Sequence, residues 1–377
     1  MAIADMEVIA AVAAQRSMMA ETVAFVHAHP ELAHDEHQCA AHLVGRLRDA
    51  GLRVEEGVAG LDTAFRAALV GGRAGRRVGI VALYDAVAAV RGDGSLEAVH
   101  SCGHGPIAGA VVGAALALAS LRGQLAGELV VVGCPADEIH APGTVKRGGG
   151  KWLTAAAGVW DDCDVALYAH PEFIDTVSQA SLWMRRETVV VAGTRSLRDE
   201  VAQPPIDAID RLVRAAASVS RSQLMIERLV LDGDVEEGTG LVLTGTLLCL
   251  ADDEAGIERI ALAMRSALPD AVWHAGRLVP AIRPDGAVTA AVADAFAAAG
   301  RTFEPNPPPL PFATDFGSIS RRVPAALIGI GRPEGWAFHT DDGAAQFASP
   351  IGVDVAAEIA TILALATTRL SEPAPRP

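Results

Sequence analysis

The chain has 377 residues, of which 51% are hydrophobic and 4% aromatic, and its formal net charge is −15. This negative charge would repel a phosphate backbone, and the scarcity of aromatic rings leaves little surface for base stacking, so the composition argues against nucleic acid as a partner. The length exceeds that of one ordinary hydrophobic core, which favours two domains or one domain with a large insertion.

The first part of the chain predicts an α/β pattern. Residues 1–30 carry Asp5, Glu7 and Glu21 at roughly helical intervals, which predicts an amphipathic helix and differs from the basic start of a signal peptide. The next segments are predicted, in chain order, as a helix (37–50), two short strands (63–70 and 77–83), a helix opened by Pro106 (106–122) and two buried strands (129–133 and 164–169).

A different pattern begins near Trp183. It predicts a βαββαβ-like α+β unit with a strand (184–193), a helix (206–219), a strand (240–251), a helix (254–268) and a strand-like segment (271–279). The first pattern then resumes with a helix (287–299), a Pro-rich loop, a buried strand (325–331) and a closing helix (349–370). We therefore predict a domain made of 1–180 and 284–377, interrupted by an inserted domain at 181–283.

Neither the apolar segments nor the cysteines predict a membrane or secreted protein. The longest apolar run, Ile107 to Leu121, falls short of the roughly 20 residues that span a bilayer. The 5 cysteines are odd in number and scattered, which fits reduced thiols better than a disulfide framework. We expect a cytoplasmic protein without a membrane partner, in which a cysteine is free to act as a ligand.

The segment HSCGH (100–104) places Cys102 and His104 on either side of a glycine, in a loop before a predicted helix. Such a loop can turn both donor atoms toward one centre. By itself the motif is explained equally well by a buried thiol beside a helix-capping loop, because buried cysteines are common.

Two adjacent acids, Asp137 and Glu138, follow the buried strand LVVVG (129–133). One carboxylate can bind a cation while its neighbour moves a proton between water and a leaving amine. A solvated loop is the ordinary alternative for an isolated pair of this kind.

Two histidines, His170 and His339, follow the strands at 164–169 and 325–331. In doubly wound sheets the carboxyl ends of the strands line the ligand crevice, so these side chains can meet Cys102, His104 and Glu138. Thiolate, imidazole and carboxylate donors together suit a borderline-soft ion such as zinc or manganese.

Eight segments of the chain, in this order, resemble those of the aminoacylase and carboxypeptidase-like metallopeptidases of peptidase family M20. They are HPELAHDEH (29–37), LYDA (83–86), HSCGHG (100–105), PADE (135–138), GGGK (148–151), AHPE (169–172), ATDFGSIS (313–320) and FHT (338–340). The resemblance covers nearly the whole chain. It is strongest to the amidohydrolase subfamily, which cleaves N-acyl amino acids, hippurate, indoleacetyl-amino acids and related conjugates.

The resemblance implies a zinc-peptidase-like α/β catalytic domain with a central mixed, mostly parallel sheet, and an inserted ferredoxin-like lid domain that mediates homodimerisation. It also implies two divalent metal ions, zinc or manganese with cobalt or nickel as alternatives, that activate water to cleave an amide bond of a small substrate. The implied metal ligands are Cys102, His104, Glu138, His170 and His339, with Cys102 a candidate bridging ligand. Asp137 stands where the family places its general base, usually a glutamate.

Three features depart from the family pattern. Asp137 is one methylene shorter than the usual base, which draws its carboxylate back on the order of 1 Å. Leu197 aligns with a histidine that reaches the partner subunit's active site, and Arg195, Arg198 or His274 is the candidate replacement. The strand at 240–251 lacks an arginine that grips substrate carboxylates. These departures predict a neutral or aromatic substrate.

Two further acids are candidates near the site. Asp85 is expected to orient a ligand in preference to binding metal, with contact to substrate as its other candidate role, and Asp315 is expected to contact substrate or to stiffen its loop. Two other functions stay open at this stage. One is deaminase or lyase chemistry on a specialised metabolite, and the other is binding of a small molecule without hydrolysis.

Overall fold

The structure is a computed structural model that describes residues 3–192, 204–232, 242–310 and 314–373. The chain divides into two compact units. The first comprises Met1–Ala180, Ile282–Pro308 and Asp315–Pro377, and the second comprises Ser181–Ala281 and Pro309–Thr314. Residues 309–314, which the sequence grouped with the outer domain, thus belong to the second unit.

The helices, in chain order, are α1 (Asp5–Ala13), α2 (Arg16–Ala28), α3 (His37–Asp49), α4 (His104–Ser120), α5 (Pro142–Arg147), α6 (Gly150–Ala156), α7 (Pro204–Ala217), α8 (Glu254–Ala267), α9 (Gly286–Ala298), α10 (Phe316–Ser320), α11 (Asp341–Ala348) and α12 (Pro350–Leu370). The strands are β1 (Arg53–Glu56), β2 (Phe65–Val70), β3 (Arg73–Ala82), β4 (Val87–Val90), β5 (Leu96–Val99), β6 (Ala126–Gly133), β7 (Val165–Glu172), β8 (Trp183–Ala192), β9 (Leu224–Asp232), β10 (Val242–Ala251), β11 (Val272–Ala275) and β12 (Ala325–Gly331).

The first unit is built on a 6-stranded sheet of order β1-β2-β6-β3-β7-β12. Its last four strands pair in parallel, whereas β2 is antiparallel to both of its neighbours. The expected mixed, mostly parallel sheet is confirmed. Because β6, β3, β7 and β12 run in one direction, their carboxyl ends lie at one edge of the sheet, and the segments that leave them start side by side.

Helix α4 lies against α2 and α12 beside this sheet. Its apolar run is rich in alanine and glycine, and a Cβ added at Gly113 would stand 2.6 Å from the Met19 side chain. The small residues therefore let α4 and α2 approach closely. Among the described residues, α12 is the one helix long and apolar enough to cross a membrane, and 67% of its apolar window is buried within the protein, as for a core helix.

Short elements are where the observed and expected patterns differ. The single helix expected in residues 1–30 is two helices, α1 and α2, which separate at Ala14 and Gln15. The hairpin of β4 and β5, the edge strand β1 and the helices α5 and α6 were not predicted. Elements of four to seven residues carry too few apolar positions to show a period.

The second unit contains a 4-stranded antiparallel sheet of order β11-β8-β10-β9, with α7 and α8 packed through a shared apolar core. The order of elements is βαββαβ, as expected, and β9 is the strand that the sequence left unnamed. A carboxylate is buried in this unit. Glu187 is fully buried and pairs with Arg185 and Arg265, each at 2.7 Å.

A second buried carboxylate, Glu36, connects distant loops of the first unit. Its Oε1 accepts the backbone N–H groups of His34 at 2.9 Å and Ala136 at 2.8 Å, and its Oε2 accepts the Thr63 hydroxyl at 2.9 Å. His34 and Ala136 both have positive φ, at 71° and 58°, which is uncommon for residues with a side chain. Glu36 thus stabilises the backbone turn directly before Asp137.

We expect Glu36→Ala to lower the free energy of unfolding by about 2–4 kcal/mol, because it strands two buried N–H donors that each cost about 1–3 kcal/mol when unsatisfied. Urea unfolding of the metal-free protein measures the loss. Glu21→Ala is the matched control, since that side chain is 54% exposed. Equal stability of the two variants would contradict the assigned role of Glu36.

Candidate metal centre

Side chains from four segments meet at the carboxyl edge of the first sheet. His170 lies near the end of β7, and Glu138 follows β6. His104 begins α4, Cys102 lies in the turn just before this helix, and His339 lies in the loop after β12. Residues far apart in sequence thus converge, because each segment leaves or enters the same edge.

The donor atoms form two overlapping groups. Sγ of Cys102 lies 3.8 Å from Nε2 of His170 and 3.3 Å from Nε2 of His339. Cys102, His104 and His170 offer ligand atoms within 4.8 Å of one another, and so do Cys102, Glu138 and His339. All five expected ligands are brought together, and both groups share the thiol of Cys102.

Local backbone geometry sets these donors in place. Gly103 has φ of +96°, and a Cβ there would lie 2.9 Å from Pro171, so the turn between Cys102 and His104 requires glycine. His339 also has positive φ, at 60°, and its N–H donates to the carbonyl of Ser101 at 2.9 Å. This bond places His339 beside the turn that carries Cys102.

Asp85 orients two of the candidate ligands through hydrogen bonds. Nδ1 of His104 donates to the Asp85 carbonyl at 2.7 Å and lies 3.0 Å from the Asp85 carboxylate, which leaves Nε2 facing the other donors. The same carboxylate accepts the backbone N–H of Glu138 at 2.9 Å. The geometry favours the orienting role of Asp85 over substrate contact, because its side chain is fully buried.

Burial strongly perturbs the donors. It raises the pKa of the Cys102 thiol to about 12, with the Glu138 charge adding to the effect, and it raises the pKa of Glu138 to about 7. Burial lowers the pKa of His170 to about 3, so this imidazole is neutral. A divalent cation among the donors would favour the thiolate and the carboxylate by direct attraction.

The residues present fit such a cation. Nε2 of His104 and Oε1 of Glu138 are buried, face each other at 3.8 Å and make no hydrogen bond. Buried polar atoms without a partner are costly, and an ion that accepts their lone pairs would satisfy both. One thiol, three imidazoles and one carboxylate form a donor set suited to zinc or a similar ion.

The Asp137 carboxylate lies beside the donors, with one oxygen directed to each side. Its Oδ1 pairs with the ammonium of Lys151, while its Oδ2 lies 3.3 Å from Nε2 of His104 and accepts the Tyr168 hydroxyl at 3.4 Å. The sequence did not predict the contact with Lys151. The GGGK segment was recognised as a motif, but its lysine had no assigned role.

The other candidate residues have different surroundings. Asp315 is buried, pairs with Lys151 at 3.0 Å and accepts the Trp152 N–H at 2.8 Å, which favours stiffening of the loop over contact with substrate. His274 lies in β11 of the second unit and is exposed. The remaining positions lie outside the described residues; they are Arg195, Leu197 and Arg198.

The fold and the site define an α/β chain with a candidate metal centre at the carboxyl edge of its sheet. A model of peptidase family M20/M25/M40 matches residues 84–362, and the chain belongs to this family. The resemblance found in the sequence is confirmed.

Curated relatives align over part of the chain. One component of the p-aminobenzoyl-glutamate hydrolase of Escherichia coli is 30% identical over 173 residues, which are 43% of this chain and 34% of that protein. Xaa-Arg dipeptidase from Mus musculus is 29% identical over 204 residues, 51% of this chain and 43% of that protein. The chain therefore spans less than half the length of these two relatives.

Solved structures share the fold over nearly the full length. A putative aminohydrolase from methicillin-resistant Staphylococcus aureus has a TM-score of 0.71 at 18% identity, covering 98% of this chain and 100% of its own. A dinuclear metal-binding peptidase of the M20 family from Bacillus subtilis has a TM-score of 0.64 at 19% identity, covering 92% and 99%.

We expect the affinity of the metal-free protein for zinc to fall by more than tenfold for each pH unit between pH 8 and pH 7, and more steeply still below pH 7. Binding must displace the proton of the Cys102 thiol throughout this range, since its pKa is about 12, and also a proton of His104, whose pKa the adjacent Asp85 carboxylate raises well above its usual value. Below pH 7 it must also displace the proton of Glu138, whose pKa is about 7. Competition with a chromophoric chelator at pH 6, 7 and 8 measures this dependence.

Two variants control this titration. Cys102→Ser removes the shared thiol and should abolish tight binding, whereas Cys163→Ser removes a buried thiol elsewhere and should leave it intact. An affinity that does not change with pH, or equal binding by both variants, would show that the thiol is not a ligand.

Proposed function

We propose that the chain is a metal-dependent amidohydrolase that cleaves the amide bond of an N-acyl amino acid, a dipeptide or a related small conjugate. The observation that carries this proposal is the juxtaposition of the five-residue donor cluster with the Asp137 carboxylate, whose Oδ2 lies 3.3 Å from His104. Membership of a family whose curated relatives include a hydrolase and a dipeptidase supports it.

Two divalent ions, zinc or manganese by the donor chemistry, would be held by the two groups that share Cys102. One group is Cys102, His104 and His170, and the other is Cys102, Glu138 and His339. When bound, such ions polarise a carbonyl oxygen and lower the pKa of water. The metal-binding description of the Bacillus subtilis relative supports a dinuclear site.

Asp137 moves the proton in this proposal. Its Oδ2 takes a proton from the attacking water as a new carbon–oxygen bond forms at the amide carbon, and it later gives that proton to the departing nitrogen as the carbon–nitrogen bond breaks. The products are a carboxylic acid and an amine, so one water is consumed and the protons balance. The side chain is 13% exposed, which leaves a path to substrate.

The aromatic residues beside the donors support a neutral or aromatic substrate. The ring of Phe338 lies 6.0 Å from that of His170, and Phe173 meets Phe338 edge-on at 5.4 Å. Phe173 is 59% exposed beside these rings. An aromatic or apolar part of the substrate would cover it.

We further propose a homodimer formed through the second unit, in the cytoplasm. Among the residues that the structure describes, β9 is an edge strand of its sheet, and it exposes Met225 and Leu231, at 48% and 42%. An edge strand with exposed apolar side chains suits pairing with a second copy. All five cysteines are free thiols, which fits a reducing compartment. Sedimentation as a monomer at micromolar concentration would contradict the dimer.

With the metal-loaded protein, we expect hydrolysis of members of a panel of N-acyl amino acids, dipeptides and aryl amides, and a reduction of kcat by about 10²- to 10⁴-fold in Asp137→Asn. The reason is that the amide of asparagine cannot accept the proton. Mass spectrometry of the acid and amine products, together with metal quantification, separates loss of proton transfer from loss of metal.

Asp49→Asn, at an exposed position on α3, is the matched control and should keep full activity. Absence of acid and amine products from the whole panel with both metal sites filled would refute the proposed reaction. Release of ammonia alone would point instead to a deaminase.

Phe173→Ala should raise KM for N-benzoyl amino acids about three- to tenfold and leave KM for the N-acetyl forms of the same amino acids unchanged, since an aromatic contact contributes about 0.5–1.5 kcal/mol. Steady-state kinetics on the paired substrates measures the difference. Met6→Ala, at an apolar residue that is 73% exposed, is the control. An equal rise for both substrate series would show that Phe173 does not distinguish acyl groups.

A further inference from the structure

Lysine is rare in this chain. Of its 31 basic residues, Lys146 and Lys151 alone are lysines and the others are arginines. Lys146 is exposed near the end of α5, whereas the side chain of Lys151, at the second position of α6, is 0% exposed. A lysine with its charge fully buried needs partners of opposite charge, because burial of an unpaired ammonium is costly.

The partners of Lys151 are two carboxylates of the candidate site. Its Nζ pairs with Oδ1 of Asp137 and lies 3.0 Å from Oδ1 of Asp315. Nζ also lies 5.1 Å from the centre of the Tyr168 ring, whose hydroxyl donates to the other oxygen of Asp137. One ammonium therefore bridges the proposed base and a buried acid from a different segment.

The glycines before Lys151 explain why this lysine can reach both acids. A Cβ at Gly149 would lie 2.2 Å from Oδ2 of Asp315, and a Cβ at Gly150 would lie 2.1 Å from the Pro135 carbonyl oxygen. The backbone of the GGGK segment thus runs directly against Asp315 and against the segment that leads to Asp137. The close approach leaves room for a compact ammonium.

Arginine has a different shape from lysine, and the second unit shows where this chain uses it. Arg185 spreads its planar guanidinium between the carboxylates of Glu187 and Glu258. An ammonium, by contrast, is a compact point charge with three donors. In a chain that uses arginine at nearly every basic position, a buried lysine indicates a geometric requirement at this position.

We propose that Lys151 is the positioning residue for the base of the proposed amidohydrolase, and this inference rests on that proposed function. Lys151 holds Oδ1 of Asp137, so that Oδ2 faces His104 and the other donors. Asp315 fixes the ammonium from the opposite side. The bridge keeps the short aspartate side chain in one orientation beside the reacting atoms.

The kinetic test uses metal-loaded Lys151→Met on a substrate that the wild-type chain hydrolyses. We expect kcat to fall about 100-fold, as for a misplaced catalytic group, with KM and metal content unchanged. Lys146→Met is the matched control and should behave as wild type. Wild-type kcat in folded, metal-loaded Lys151→Met would overturn the inference.

A double-mutant cycle separates positioning from a general structural role. In an Asp137→Asn background, Lys151→Met should reduce kcat no further, because the lysine acts through Asp137. A further reduction by the same factor would show that Lys151 acts independently and would overturn the inference. If Lys151→Met does not fold, the double variant Lys151→Met/Asp315→Asn replaces it, because this variant loses one buried charge of each sign. Its kcat is then compared with and without Asp137→Asn.

A spectroscopic test can be made on the metal-free protein and does not depend on enzymatic activity. In Lys146→Arg, Lys151 is the single lysine, so ¹³Cε-lysine labelling gives one side-chain signal. We expect Asp137→Asn to shift this signal and Asp49→Asn to leave it in place. An unmoved signal overturns the inference even if the chain hydrolyses amides. If no amide is hydrolysed, the proposed function fails, whereas a shifted signal still establishes the contact between Lys151 and Asp137.

Discussion

Hydrogen bonds from backbone N–H groups to buried carboxylates hold the segment on which the site depends. This segment follows β6 and carries Asp137 and Glu138. Two bonds hold this segment itself, from Ala136 to Glu36 at 2.8 Å and from Glu138 to Asp85 at 2.9 Å, and a third, from Trp152 to Asp315 at 2.8 Å, holds the helix α6 that carries Lys151. Each bond satisfies a backbone N–H group that would be costly to leave without a partner, so this loop is held in one backbone conformation. The backbone conformation of this loop sets the positions of the Asp137 and Glu138 side chains.

Parallel strand pairing supplies the other half of the geometry. The carboxyl ends of β6, β3, β7 and β12 lie at one edge of the sheet, so donors that follow different strands meet without any long-range sequence signal. His339 is the most distant, and its positive φ together with its bond to the Ser101 carbonyl bring it within 3.3 Å of the Cys102 thiol. Packing of α4 against α2 then fixes the turn that carries Cys102 and His104.

Charge balance connects these two features. The site brings several carboxylates together in a buried region. Among the described residues, the positive charges that face them are the ammonium of Lys151 and the imidazole of His104. Burial alone would lower the pKa of His104, but the adjacent Asp85 carboxylate outweighs this effect and raises that pKa well above its usual value. The remaining donors, the thiol of Cys102 and the carboxyl of Glu138, have pKa values raised by burial. A bound cation is the natural counterpart of such a set.

The sequence by itself determined the order of long elements, the family and the five donor residues, because apolar periodicity and short motifs are local properties. HSCGH and the acids after β6 could be read directly. Only the tertiary structure decided which oxygen of Asp137 faces the donors and that Lys151 and Asp315 hold the other side. Likewise, nothing near Glu36 in sequence shows that it accepts the N–H of Ala136. Such contacts join residues far apart in the chain, and their geometry follows from how the loops pack on the sheet, which no local pattern encodes.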